Sequence, residues 1–421
     1  MKNHKISTFI ISFLCLFIFS CSSQEVTKLN FRITWKDYSG RGATIQKVVR
    51  NYNLLNKYVD INLQSGDEDL DTLSQLLNDD QSNVIYVLPY RYVGYFGKQD
   101  LLENIGDQFI KEESLFAPAL WDLGKTNNSV YGIPWLSHSI CLIYNKDILD
   151  KAGVNPESIN SLETLVNALE LIKKNTDAYG IGLVGKDHND ISWMVNQFIY
   201  GFGSKLVDET GKKVLINNEQ SKQAITFYKD TLGQYAQPTW LNDTGVEIMN
   251  YFRDGKLAFE FQGVWGVTDI EKNGSKFELG IINLNDIGLS PEVGPMFLSI
   301  KANMKSKEKD EAIKFIRYMI SESAQEEIMK GEYSPEHDKY YPFRVPARLD
   351  LAESLVFKEN PQYIPFTTGF ENPSIDVPNA NWQIIKSEIY APGLHEVMSN
   401  ELSVDDFLRR IEVEGGLILN Q

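Results

Sequence analysis

The chain has 421 residues, of which 43% are hydrophobic and 23% are charged, and its formal net charge is −16. This length exceeds what one hydrophobic core supports, so we expect at least two domains. The negative charge argues against a nucleic-acid-binding protein, because the phosphate backbone would be repelled. An anionic ligand would need a local cluster of Arg or Lys, whereas a neutral ligand carries no such penalty.

The N-terminus predicts a secretion signal followed by a lipid attachment site. Two lysines precede an apolar run at residues 6–19, which is the layout of a signal peptide. The run ends in the letters IFSC, which resemble a bacterial lipobox and imply that Cys21 carries the lipid. We therefore expect a signal at residues 1–20 and a lipidated tether at residues 21–27. A membrane-spanning anchor or an ordinary signal cleaved nearby are the alternatives.

The rest of the chain reads as alternating strands and helices. Strands are predicted at residues 28–35, 59–63 and 84–88, with helices at residues 43–55 and 71–77 between them. That order implies right-handed parallel crossovers and an open α/β sheet. The later predicted elements are strands at residues 140–144, 180–184, 256–261 and 297–300 and helices at residues 162–173, 191–200, 219–232 and 310–320.

The sequence predicts neither a metal site nor a cofactor. Once Cys15 leaves with the signal and Cys21 is acylated, Cys141 stands alone in an apolar run, where we expect a buried, inert thiol. The five histidines show no pair at metal-ligand spacing. The G-x-G-x-x-G pattern at residues 180–185 brackets apolar strand residues instead of opening a helix, so it does not indicate a dinucleotide site.

Four segments in fixed order carry a more specific pattern. They are Y-G-I-P at residues 131–134, I-Y-N-K-D-I-L at residues 143–149, the run from Phe252 to Trp265, and P-x-R-x-P at residues 342–346. Together they resemble the extracellular solute-binding proteins of ABC importers, in the sugar-binding class of the maltose-binding protein. One departure is Val264, which stands where the family has a proline before the tryptophan.

The resemblance implies a two-lobed α/β architecture. Two Rossmann-like lobes would be joined by three crossings with a hinge, as in type II periplasmic binding proteins, and we place the crossings near His138, Pro295 and Gly331. The expected first lobe comprises residues 28–138 and 296–331, and the expected second lobe comprises residues 139–295 and 332–421.

The resemblance also implies a function. The protein would bind a sugar, from mono- to oligosaccharide, in the cleft between the lobes and deliver it to the permease of an ABC transporter. We expect an extracytoplasmic, membrane-anchored monomer without enzymatic activity. Two alternatives remain: a binding protein for another small solute, such as a polyamine or an organic anion, and a surface glycan-processing enzyme, whose distant carboxylates a sequence does not reveal.

Candidate ligand residues follow from the chemistry of sugars, which need aromatic plates for their C–H faces and planar polar groups for their hydroxyls. Trp35, Asp37 and Tyr38 follow the first strand, and Tyr90 and Arg91 follow the third. The carboxyl ends of parallel strands are where open α/β sheets bind ligands. Asp37 could instead cap the next helix, and any single tryptophan could be core.

The other candidate ligand residues lie further along the chain. Trp265, with Gln262 nearby, matches the tryptophan of the family segment and is the strongest candidate. Trp135 and His138 lie in the first crossing, where the family has an acid at the position of His138. Two further candidates are Trp193, on a predicted helix, and Arg344, which matches a family arginine but could form a salt bridge instead.

Overall fold

The computed structural model covers most of the chain after the signal. It describes residues 25–36, 39–66, 70–79, 81, 83–273, 276–370 and 372–420. The predicted lipidation site Cys21 and the predicted ligand residues Asp37 and Tyr38 lie outside the described residues. Within the described ranges, no helix combines the length and the apolar character that crossing a bilayer requires.

The described residues form an α/β structure whose strands fall into two main sheets. The strands are β1 (Thr27–Ile33), β2 (Val59–Ser65), β3 (Val84–Pro89), β4 (Lys125–Thr126), β5 (Ser129–Val130), β6 (Ile133–Ser137), β7 (Cys141–Asn145), β8 (Tyr179–Ile181), β9 (Leu257–Gln262), β10 (Leu279–Asn283), β11 (Met296–Ile300), β12 (Glu332–Ser334), β13 (Lys339–Tyr341) and β14 (Val345–Pro346). The predicted α/β class is confirmed.

Helices cover both sheets. They are α1 (Gly40–Leu55), α2 (Leu70–Asn78), α3 (Tyr90–Lys98), α4 (Gly106–Phe109), α5 (Pro118–Asp122), α6 (Lys146–Ala152), α7 (Leu162–Asn175), α8 (Asn189–Gly201), α9 (Glu219–Thr226), α10 (Gly245–Arg253), α11 (Val264–Lys272), α12 (Ser306–Met319), α13 (Glu322–Lys330), α14 (Leu355–Glu359), α15 (Ala380–Ile385), α16 (Ala391–Met398), α17 (Val404–Arg410) and α18 (Gly416–Leu419). The segment predicted as a helix at residues 219–232 is helical throughout, but it changes from an α-helix to a π-helix at Phe227–Thr231 and to a 3₁₀ helix at Leu232–Tyr235.

The first sheet has the strand order β14-β6-β11-β3-β1-β2. The parallel pairing predicted for its first three strands is confirmed, since β1 pairs in parallel with both β2 and β3. Every residue of β3 is buried, which explains why this strand is an unbroken apolar run. Antiparallel β11 then connects the parallel half to β6.

The second sheet has the order β10-β7-β9-β8. The central strands β7 and β9 are fully buried, and Cys141 at the start of β7 is buried as predicted. Burial raises the pKa of the Cys141 thiol far above its usual range, so the thiol stays protonated and unreactive.

The chain passes between the sheets through two segments that lie side by side. One joins β6 to β7 and the other leads from β10 to β11, and they pair through an antiparallel bridge between Ser139 and Val293. The amide of Ile140 donates to the carbonyl of Glu292 at 3.0 Å. This pairing holds the side chains of both segments at the junction of the two sheets.

One strand differs from the expected lobe boundaries. Val345–Pro346 forms β14 at the edge of the first sheet, where it pairs with β6. The expected boundary after residue 331 puts these residues in the second lobe. A two-residue edge strand has no hydrophobic periodicity, so its pairing depends on contacts that only the folded chain shows. The remaining lobe boundaries stay predictions.

Candidate ligand-binding site

Trp265 lies where a buried strand of the second sheet turns into a helix. Strand β9 ends at Gln262, Gly263 is the N-cap of α11, and Trp265 is the second residue of that helix. A side chain at position 263 would collide with the indole ring of Trp265, so glycine is required there for close packing. The local sequence therefore fixes the indole at the carboxyl end of β9.

The Gln262 side chain is oriented by this indole. Trp265 Nε1 donates a hydrogen bond to Gln262 Oε1 at 2.6 Å. Because an indole N–H can only donate, the oxygen of the amide must face Trp265 and its NH₂ group must face away. Gln262 is only 3% exposed, and its Nε2 has no hydrogen-bond partner among the described residues. A donor at the wall of the neighbouring cavity is thus left available for a ligand.

His138 and Glu292 form a hydrogen-bonded pair across the two connecting segments. His138 Nε2 lies 2.7 Å from Glu292 Oε2, and both side chains keep partial exposure. The imidazole also packs edge-on against Trp265, with ring centroids 5.1 Å apart. Gly294 lies directly against the imidazole, so any side chain at that position would collide with His138.

Asp190 holds a second indole in place. At the start of α8 its Oδ1 accepts from Trp193 Nε1 at 3.2 Å, while its Oδ2 accepts from the amide of Gly245 at 3.0 Å. The second bond ties the start of α10 to the start of α8. Because the Trp193 indole is held at its nitrogen, it is a pre-oriented plate with low conformational freedom.

These groups surround one cavity of about 330 Å³, which we call the Trp193 cavity. Its walls combine two indoles, two carboxylates, an imidazole and an amide. The lining residues are His138, Ile140, Asp190, Trp193, Gly245, Val246, Met249, Gln262, Trp265 and Glu292. Flat aromatic surfaces with a few fixed polar groups are typical of small-molecule sites.

A second cavity of about 470 Å³, which we call the Arg41 cavity, borders Trp265 and Met249 as well. Its lining residues are Arg41, Met249, Trp265, Thr268, Asp269, Lys272, Glu332, Pro342 and Arg344. The two cavities therefore share one wall. Arg41 comes from α1 beside the first sheet, whereas Lys272 comes from α11 beside the second, so this cavity lies between the two halves of the molecule.

Arg344 connects the tryptophans that follow β1 and β9. Its guanidinium carbon lies 5.9 Å from the ring centroid of Trp35 and 5.3 Å from that of Trp265. Both distances are within the range of cation–π attraction. Arg41 packs similarly over Phe343 at 5.5 Å, and burial lowers the pKa of its guanidinium below the usual value.

The structure brings together some of the predicted residues and not others. His138, Trp193, Gln262 and Trp265 line the Trp193 cavity, and Trp265 and Arg344 line the Arg41 cavity. Trp35 lines neither cavity but lies under Arg344. Asp190, Glu292, Arg41 and Met249 are lining residues that the sequence reasoning missed.

Besides Trp35, three predicted residues lie outside both cavities. Trp135 is 1% exposed and packs behind Trp35, with ring centroids 6.2 Å apart. Tyr90 is buried, and its hydroxyl accepts from the amide of Asp376 at 2.8 Å. Arg91 packs over the ring of Tyr92 at 4.8 Å. Trp135 therefore packs against Trp35, and Tyr90 contacts the C-terminal segment at Asp376.

A larger cavity of about 740 Å³ lies away from these tryptophans. Its lining is mainly lysine, aspartate, glutamate and asparagine side chains, among them the exposed Lys98, Asp122 and Lys212. None of its described lining residues is aromatic. It therefore lacks the flat apolar surface on which a sugar ring stacks. Among the described residues, no group of His, Cys, Asp and Glu side chains is arranged to hold a metal ion.

The sequence matches a known family over most of its length. The model of the family described as bacterial extracellular solute-binding protein covers residues 36–326. A probable ABC transporter-binding protein from Deinococcus radiodurans is 22% identical over 339 residues, which are 78% of each chain. A multiple sugar-binding protein from Streptococcus mutans is 23% identical over 325 residues, which are 70% of this chain and 71% of the relative.

The fold matches solved structures of the same kind. The sugar-binding protein MalE from the phytopathogen Xanthomonas citri superimposes with a TM-score of 0.80 at 17% sequence identity. The match covers 93% of this chain and 97% of the other. At this level of identity the likeness concerns the architecture, which is the type II binding-protein fold that the sequence predicted.

Proposed function

The chain belongs to the family of bacterial extracellular solute-binding proteins, and on that premise we propose that it binds a sugar between its two sheets. The observation that carries the proposal is the wall shared by the two cavities. Trp265 borders both of them and has the free donor of Gln262 at its edge. A ring that stacks on the indole would present its hydroxyls to that donor and to the carboxylates.

The chemistry of the Trp193 cavity matches the two faces of a sugar. The indoles of Trp193 and Trp265 supply apolar plates for C–H groups, while Asp190 and Glu292 supply acceptors for O–H groups. Charged acceptors form hydrogen bonds that are stronger than neutral ones. The name of the Streptococcus mutans relative, a multiple sugar-binding protein, supports the same ligand class.

Delivery of the sugar and anchoring of the protein complete the proposal. As an ABC-importer binding protein, the chain would hand its ligand to the membrane permease chemically unchanged. Acylation at Cys21 would hold the protein at the outer side of the membrane, at the periplasmic face or the cell surface. The family and fold are those of binding proteins, which supports a function in binding, not in catalysis.

A polyamine ligand is the second candidate, because carboxylates and aromatic walls also suit polyamines. The acidic groups of the Trp193 cavity favour it. The amide of Gln262 argues against it, since a protonated polyamine has only donors and offers nothing to a second donor. A sugar satisfies both the donor and the acceptors.

A ligand screen by thermal shift tests the proposal. The mature protein would be heated with ribitol, glucose, galactose, maltose, lactose, raffinose, N-acetylglucosamine and spermidine, each in excess. A ligand at 100 times its Kd stabilises the folded state by about 2.7 kcal/mol, which is a measurable rise in Tm. We expect stabilisation by at least one sugar and recovery of that sugar uncleaved. Stabilisation by spermidine alone, or cleavage of a glycan, would contradict the proposal.

A further inference from the structure

The Trp193 cavity has an excess of negative charge. Two of its lining residues, Asp190 and Glu292, are carboxylates, and none of its described lining residues is Lys or Arg. The donors to the carboxylate of Asp190 are the indole of Trp193 and the amide of Gly245. The nearby His188 Nδ1 itself accepts from the backbone amide of Asp190. Neutral N–H donors therefore satisfy Asp190, and the imidazole of His138 satisfies one oxygen of Glu292. No Lys or Arg among the described lining residues offsets the two carboxylates.

One carboxylate oxygen of Glu292 is available to a ligand. Its Oε2 is engaged by His138, whereas its Oε1 has no partner among the described residues, and the side chain is 17% exposed at the cavity wall. A carboxylate that is mostly withdrawn from water gains more from a cationic partner than an exposed one does. The chain's formal charge of −16 adds a long-range field of the same sign.

The indole of Trp193 reinforces the preference for a cation, whereas the ring of Trp265 already has the guanidinium of Arg344 5.3 Å from its centroid. The faces of aromatic rings attract ammonium groups, and tryptophan does so most strongly. Trp193 is fixed through its nitrogen to Asp190, so its ring and that carboxylate act on the same space. A simple amine would still leave the donor of Gln262 without an acceptor. The ligand must therefore carry oxygen acceptors as well as a cation.

We infer that the sugar bound in the Trp193 cavity is an amino sugar, whose ammonium group pairs with Glu292 and whose oxygen accepts from Gln262. This inference rests on the proposed sugar-binding function and narrows it. It also departs from the expectation of an uncharged ligand that the composition suggested. The negative net charge of the chain disfavours anions and favours cations. Only the folded chain shows that the local charge of this cavity is negative as well.

Matched pairs of sugars test the inference on the wild-type mature chain. Binding of glucosamine and glucose, galactosamine and galactose, and fully deacetylated chitobiose and cellobiose would be measured by calorimetry. The measurements are made at about pH 6.5, where aliphatic amines of this kind are protonated. We expect the amino sugar of at least one pair to bind about tenfold tighter than its neutral partner, and high salt to weaken only the amino sugar.

The outcomes separate the inference from the proposed function. If a neutral sugar binds as tightly as its amino counterpart or more tightly, the inference is wrong and the proposed function stands. The inference is equally wrong if none of the six sugars binds while another neutral sugar of the screen does. If no sugar stabilises the protein, both claims are contradicted.

One variant pair assigns the effect to Glu292. Glu292→Gln keeps an oxygen that accepts from His138 but removes the charge, and it should reduce the amino-sugar preference about tenfold. Glu278→Gln is the matched control, because it removes the same charge at a side chain that is 82% exposed and paired with Lys146. An unchanged preference in Glu292→Gln would overturn the assignment. The salt series on the wild type decides the question if this variant does not fold.

Discussion

At the scale of single residues, the site depends on side chains that hold one another in fixed orientations. Trp265 orients Gln262, Asp190 orients Trp193, and Glu292 is paired with His138. The residues of the first two pairs are close in sequence. The pair of Gln262 and Trp265 was predicted, because a tryptophan follows the end of a predicted strand there. The third joins residues 154 positions apart. No spacing rule predicts such a pair, so Glu292 was not identified from the sequence.

Replacement of Trp265 by alanine tests its role as the stacking plate. Trp265→Ala should weaken binding of the best sugar from the screen by about 1–3 kcal/mol, because the buried apolar area of the indole is lost. Calorimetry measures the effect, and circular dichroism checks that the fold is retained. Trp265→Phe keeps an aromatic face and should lose less. Equal affinity in the alanine variant and the wild type would refute this role.

Replacement of Gly294 tests the position of His138. In Gly294→Ala the new methyl group collides with the imidazole, which must move away from Glu292 and Trp265. We expect sugar affinity to fall about tenfold or more at unchanged secondary structure. Gly416→Ala is the control, since a methyl group there meets no neighbouring atom. If both variants bind like the wild type, His138 does not need its observed position.

At the scale of elements, the sequence predicted those strands and helices whose burial is periodic or complete. Examples are the unbroken run of β3 and the buried hydrophobic positions of α1, which are Ile45, Val48, Val49 and Tyr52. The sequence predicted which elements exist better than it predicted where each side chain on them would face. Helix α3 starts directly after β3, so Tyr90 turns to Asp376 and away from the cavities. That contact comes from the distant C-terminal segment, and contact of Tyr90 with ligand stays a prediction.

Strand β9 contains a buried carboxyl group that should make stability depend on pH. Glu260 is 1% exposed, its Oε2 has no partner among the described residues, and burial raises its pKa well above the usual value. Because the pKa of this carboxyl is higher in the folded state, the unfolded state releases the proton at a lower pH than the folded state does. As pH rises above the pKa that the carboxyl has in the unfolded chain, the carboxyl therefore lowers the free energy of unfolding, by up to about 1.4 kcal/mol per pH unit.

Glu260→Gln removes this titration and should stabilise the protein at neutral pH. The two proteins should converge below about pH 4, where the wild-type carboxyl becomes protonated in the unfolded state as well. Urea unfolding at several pH values measures the difference. The exposed variant Glu278→Gln should show no comparable gain. A difference in stability between the wild type and Glu260→Gln that stays the same at every pH would contradict the assignment.

At the scale of the whole molecule, two sheets meet at a pair of antiparallel connecting segments. The bridge between Ser139 and Val293 joins these segments, and His138 and Glu292 lie on them. Narrow connections of this kind allow hinge closure around a ligand. The sequence predicted the two-lobed class through its family pattern. It missed the edge strand Val345–Pro346, because that pairing has no periodic signal.

Anchoring by Cys21 is tested by fractionation of expressing cells. Cys21→Ser removes the thiol that would be acylated, so the protein should move from the membrane fraction to the soluble extracytoplasmic fraction. Cys141→Ser should remain with the membrane, because that thiol is buried in β7. Membrane association that persists in Cys21→Ser would show that another segment anchors the chain.

The central claim is that a sugar occupies the space beside Trp265. The most direct test is a crystal structure of the mature protein with the sugar that stabilises it most. We predict a sugar ring stacked on the Trp265 indole, with an oxygen at hydrogen-bonding distance from Gln262 Nε2. A sugar found in the 740 Å³ cavity, with Trp265 and Gln262 untouched, would contradict the account.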